Sequence, residues 1–110
     1  VEHWDQQIWL QQRPENGLWG GLWGFAEYPS ALAAQTALAA RGLAGELQPL
    51  APFRHTFSHF HLHIQPLLYH HRQPPASVAD SQSIWYNLGQ PARIGLAVPT
   101  QRIISALAKE

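Results

Sequence analysis

The apolar residues change parity within the stretch FRHTFSHFHLHI, residues 53–64. Phe53 and Phe57 fall on odd positions, whereas Phe60, Leu62 and Ile64 fall on even ones. Side chains of a strand alternate with period two, so one straight strand cannot place all five on one side. A tight turn or bulge near residues 56–59 reconciles them. It leaves Phe57, Ser58 and His59 at an exposed hairpin tip, without the Asn-Gly chemistry usual for such turns. A phenylalanine there either touches a partner or folds back onto the core, and the sequence weighs the two evenly.

Around this hairpin the chain offers further strands and two helices. Residues 4–12 (WDQQIWLQQ) predict a strand, stopped at Arg13-Pro14. GLWGGLWGF, residues 17–25, repeats GLWG once and leads into a short strand over residues 22–27. It lacks the lysine and the spacing of a phosphate-cradling loop, so its glycines read as tight turns and its tryptophans as core or interdomain surface. Ser30 is placed to cap a helix over residues 31–42 (ALAAQTALAARG), with Gly42 at its end. Residues 47–57, 59–69 and 83–88 read as strands, and residues 70–82 as a polar, proline-containing loop. A last helix starts at Pro99 with Ile103, Ile104 and Leu107 on one face. The expected order is β-β-α-β-β-β-α, an α+β fold with a mixed sheet covered by helices.

Composition narrows the function. One hundred and ten residues, 45% hydrophobic, suffice for one core, so a single domain over residues 1–110 is expected. Seven Lys and Arg against seven Asp and Glu leave no net charge. That balance argues against strong non-specific binding to bare phosphate backbone, which needs clustered cations. Seven histidines are a reserve of charge. The absence of cysteine excludes disulfides, thiolate zinc sites and iron–sulfur clusters within these 110 residues, and fits a reducing compartment. No apolar run reaches membrane-spanning length and no signal segment opens the chain. The start at Val1 suggests a fragment of a longer protein.

His59, His61 and His63 fall on one face of the strand after the tip, at a spacing that can bind zinc or copper. Such sites usually add a carboxylate, and no Asp or Glu lies between Glu46 and Asp80. No metal is therefore expected; the row reads as a polar face for packing or hydrogen bonding to a partner.

From Gly21 the sequence can be laid on the Nudix box, G-x5-E-x7-R-E-U-x-E-E-x-G-U with U aliphatic. Gly21, Glu27, Gly42 and Leu43 match, and the spacing is intact. Gln35-Thr36 replaces Arg-Glu, and Ala39-Ala40 replaces the paired glutamates. Those carboxylates hold Mg²⁺ in Nudix hydrolases; a hard cation needs oxygen ligands and alanine has none. Over its whole length the chain resembles the C-terminal domain of MutY-type adenine DNA glycosylases. QQRPENGLWGGLWGF (11–25), FRHTFSHFHLHI (53–64) and IGLAVPTQRIISAL (94–107) carry the resemblance.

The resemblance implies a Nudix-like (MutT-like) α/β/α sandwich. It implies recognition of 8-oxoguanine in 8-oxoguanine:adenine mispairs, directing adenine excision during base excision repair. A separate N-terminal domain of the same chain would supply the catalytic residues and a [4Fe–4S] cluster, leaving none of either here. The family's Phe-Ser-His loop corresponds to Phe57, Ser58 and His59. The implied partners are duplex DNA carrying the mispair and the catalytic domain, with no membrane, in a bacterial cytoplasm at the nucleoid. Arg13, Arg54 and Arg72 are candidate phosphate contacts, although as lone arginines they read first as ordinary surface charges. The alternative is an active Nudix hydrolase on oxidised nucleotides, which would need a metal site rebuilt from Glu27, Glu46 and Asp80.

Overall fold

A computed structural model describes residues 1–17, 19–43, 45–73 and 82–108. The chain forms two compact units, Val1–Ala26 with His70–Glu110, and Glu27–Tyr69.

The first unit begins with β1 (Glu2–Trp4) and β2 (Gln7–Gln12), where the sequence had suggested one strand over 4–12. Asp5 and Gln6 link them with φ of 46° and 62°, pairing Trp4 with Gln7. Two consecutive left-handed residues are the turn whose twist suits a two-residue hairpin. Asp-Gln does not advertise this turn, so the continuous strand reading failed there. β2 also pairs antiparallel with β3 (Trp23–Gly24) and, along its length, with β8 (Ser83–Asn87). Trp23 makes a parallel bridge to Leu96, so the pairing is mixed.

Ile8 and Leu10 of β2 are fully buried and cluster with Tyr86. Half-buried Trp23, Phe25, Ile84, Ile94, Leu96, Ile104 and Leu107 pack on this cluster. The last two project from α2 (Val98–Ala108), whose Ile103 is also buried, as the spacing predicted. Full burial of a side chain such as Ile8 or Leu10 stabilises by about 1.5–3 kcal/mol, and the half-buried ones contribute less.

The second unit holds α1 (Ala31–Ala40), with Ala34 and Leu38 buried. Ser30 Oγ accepts from Ala33 N, satisfying one of the free amides of the first turn. At the other end Gly42 N donates to Ala39 O and Leu43 N to Leu38 O, with Gly42 at φ 75°. This is a Schellman close, and it ends the helix two residues before the predicted limit.

The two long strands expected over 47–57 and 59–69 are each interrupted. They become β4 (Gln48–Pro49), β5 (Phe53–Thr56), β6 (His61–Ile64) and β7 (Leu67–His70). Pro66, which has no amide hydrogen to donate, separates the last two. Its carbonyl instead accepts from Leu50 N and from Gln65 Nε2. Three strands thus precede α1 and five follow it, against two and three in the expected order. Most of the predicted 70–82 loop lies outside the described residues, as does Asp80.

Candidate nucleic-acid interface

β5 and β6 form an antiparallel pair with Phe53 opposite Ile64, Arg54 opposite His63, His55 opposite Leu62 and Thr56 opposite His61. Beyond the last pair, Phe57 N donates to Phe60 O at 2.8 Å. Ser58 and His59 are left as the two residues at the turn. Neither has a positive φ, so the turn is not of the mirror-image kind found between β1 and β2. Both are exposed.

Directly opposed residues of an antiparallel pair share a side. Phe53, His55, Phe57, Phe60, Leu62 and Ile64 therefore form one face, and Arg54, Thr56, His61 and His63 the other. The parity change is resolved as the sequence required, by a turn of even length. Of the predicted histidine row, His61 and His63 share a face while His59 sits in the turn. Among the described residues, no three His, Cys, Asp or Glu side chains gather where they could hold a metal ion.

Phe57 neither stands free at the tip nor enters a distant core. It is half-buried on its own hairpin, stacked on Phe60 with ring centroids 4.4 Å apart and planes at 23°. The His55 ring meets it edge-on at 4.6 Å. Phe60, which the sequence reading had treated only as a parity marker, is 49% exposed and completes the aromatic pair. On the opposite side Thr56 Oγ1 lies 3.1 Å from His61 Nδ1.

The positions where Nudix enzymes carry carboxylates are filled otherwise. Gln35, Thr36, Ala39 and Ala40 lie exposed on α1, and Glu27 precedes the helix, also exposed. One carboxylate at these positions, with only the neutral oxygens of Gln35 and Thr36 besides, does not fit a catalytic Mg²⁺. Nor can a chain without cysteine hold an iron–sulfur cluster.

The arginines singled out by sequence are not part of the Ser58-His59 turn. Arg13 places its guanidinium 5.8 Å from the centre of the Trp19 ring, within the turn that Gly21 closes at φ 77°. Arg54 lies on the hairpin, and Arg72 is exposed just beyond β7.

Sequence reasoning missed a group of histidines elsewhere. His71 Nε2 donates to Glu2 Oε1 at 2.8 Å, with both side chains nearly buried. His3 and His70 approach with Nδ1 atoms 3.2 Å apart and rings edge-on. Burial first, and then the neighbouring His70, lower the His3 pKa, with Asp5 opposing them. The HH pair at 70–71 was the only local signal, and its partners are at the far end of the sequence.

The family model described as NUDIX domain matches residues 1–106. The chain belongs to the NUDIX domain family. Within it, the chain is 32% identical to the adenine DNA glycosylase of Buchnera aphidicola subsp. Acyrthosiphon pisum over 99% of its own length. It is 27% identical over 93% of its length to that of Buchnera aphidicola subsp. Baizongia pistaciae. It spans only 31% and 29% of those two proteins, less than a third of each.

The fold is that of the C-terminal domain of mouse MUTYH, solved in complex with human PCNA. That match has a TM-score of 0.70 at 24% identity, covering 94% of this chain and 76% of the other. A Nudix hydrolase from M. smegmatis, RenU, matches with a TM-score of 0.54 at 20% identity over the same shares. The expected Nudix-like fold, a mixed sheet with helices, is thereby established.

Proposed function

We propose that residues 1–110 act as one lesion-recognition domain of a MutY-type adenine DNA glycosylase, reading 8-oxoguanine opposite adenine. Chemistry on the adenine, and any [4Fe–4S] cluster, would belong to a separate N-terminal domain of the same chain, working at the bacterial nucleoid. Similarity to two adenine DNA glycosylases along nearly the whole chain supports the parentage. The observation that carries the reading role is the tip itself: Ser58 and His59 exposed at a turn flanked by a stacked aromatic pair.

The chemistry of the lesion suits these residues. 8-Oxoguanine differs from guanine by a carbonyl at C8 and a hydrogen on N7, which turns an acceptor into a donor. A serine hydroxyl both donates and accepts, so Ser58 answers either change. An imidazole likewise offers a donor and an acceptor to a base edge, the role of His59. Phe57, its ring held against Phe60, stacks or wedges beside the disturbed base step.

The decisive experiment is the Ser58→Ala/His59→Ala double variant of the full-length enzyme. Cleavage at a correctly placed adenine is expected to persist. Preference for adenine opposite 8-oxoguanine over adenine opposite guanine should fall about ten- to a hundredfold, since base-edge bonds contribute ~1–3 kcal/mol of discrimination each. Phe57→Ala should weaken both mispairs alike, with thermal stability followed alongside. Undiminished discrimination in the double variant would remove this loop from lesion reading.

A further inference from the structure

The hairpin that carries the tip has a second face. Arg54 and His63 are directly opposed across β5 and β6, as are Thr56 and His61, and all four are exposed. These residues alternate with the aromatic row, so they point away from it. The hairpin lies within a stretch of sequence, between Glu46 and Asp80, that contains no Asp or Glu. An otherwise neutral protein thus concentrates one guanidinium, two imidazoles and a hydroxyl on one hairpin face, with no carboxylate in that stretch to neutralise them.

We propose that Arg54, Thr56, His61 and His63 form a phosphate-binding face that seats the hairpin on the backbone of duplex DNA, resting on the reading that its tip meets DNA. The occupant follows from charge and donor chemistry. Arginine presents a planar fork suited to phosphate oxygens. When the Thr56 hydroxyl donates to His61 Nδ1, the hydrogen of the neutral ring resides on Nε2, making its other nitrogen a donor. Contacts of this kind position a protein on DNA without reading sequence. The two faces would then divide the work: one sets where the hairpin sits, and the tip between them reads the lesion.

The test compares two sets of variants in the full-length enzyme on duplexes carrying A:8-oxoguanine, A:G or A:T. Arg54→Gln should weaken binding to all three by the same factor, and reduce the slope of log affinity against log salt by about one. His61→Gln/His63→Gln should also weaken binding to all three without changing the ratio between duplexes, while the slope, which counts charge, is read on Arg54→Gln. Melting temperature is measured on each variant, and these exposed positions should leave it unchanged. A salt slope in Arg54→Gln equal to the parent's would overturn the phosphate-binding face. So would a selective loss on the 8-oxoguanine duplex, which would make this face a reader of bases. The Ser58→Ala/His59→Ala variant, measured in parallel, reports separately on the tip: lost discrimination there with an intact Arg54→Gln slope sinks this face alone. A changed slope with intact discrimination keeps this face and sinks lesion reading.

Discussion

His71 Nε2 donates to Glu2 Oε1 across a distance of 2.8 Å, though 69 positions separate the two residues. The pair ties β1 to the chain just beyond β7, and the Trp85 ring meets the His71 imidazole edge-on at 5.7 Å. Hydrogen bonds to a charged group, nearly buried, are among the stronger contributors to stability. Glu2→Ala should lower unfolding stability by about 1–3 kcal/mol, read from the urea midpoint. Glu2→Gln, whose amide oxygen still accepts, should cost less.

Burial of His3, with His70 beside it, predicts a pH dependence. With the His3 pKa below its ordinary 6.5 in the folded state, the unfolded chain binds the proton more readily. The stabilisation is therefore complete above that value and is lost as pH falls through the folded-state pKa. The thermal midpoint of the chain should drop on acidification below pH 6.5, and His3→Gln should flatten that part of the profile. An unaltered profile in the variant would place the acid sensitivity elsewhere.

Gly42 takes φ 75° to close α1. A Cβ would meet nothing within 4 Å there, so Gly42→Ala tests conformation alone. The left-handed region costs an L-residue about 1–2 kcal/mol, and denaturation should return a loss of that size.

A Nudix fold whose helix has lost its carboxylates should not hydrolyse nucleotides. Incubation with Mg²⁺ and 8-oxo-dGTP or ADP-ribose is expected to give no turnover. Turnover that disappears in Glu27→Gln would restore the hydrolase reading.

How far the sequence could be read depended on the range of the interaction. The cap at Ser30, the glycine close at Gly42 and the apolar face of α2 are set by neighbours within a turn or two, and all were visible. So was the hairpin, because parity is a local property. The Asp5-Gln6 turn was not, since neither residue type signals φ > 0 as glycine or asparagine does. The break at Pro66 split a strand that propensity alone had run through. Glu2–His71 and His3–His70 arise only when the start of the chain meets β7 and the residue after it, a long-range match that no window of sequence contains. At the candidate site, Ser58 and His59 were legible as a turn, whereas the stacking of Phe60 on Phe57 required three dimensions.

The two faces of the hairpin exist only while the register of β5 against β6 holds across the Ser58-His59 turn. A slide of β6 by a single position against β5 would bring His63 opposite Phe53, Leu62 opposite Arg54 and His61 opposite His55. Aromatic surface and cationic surface would be scrambled together with no change in composition. Lineages carrying this hairpin should therefore vary the tip by replacement, and any that lengthen it should absorb the addition within the loop and keep the register of β5 and β6.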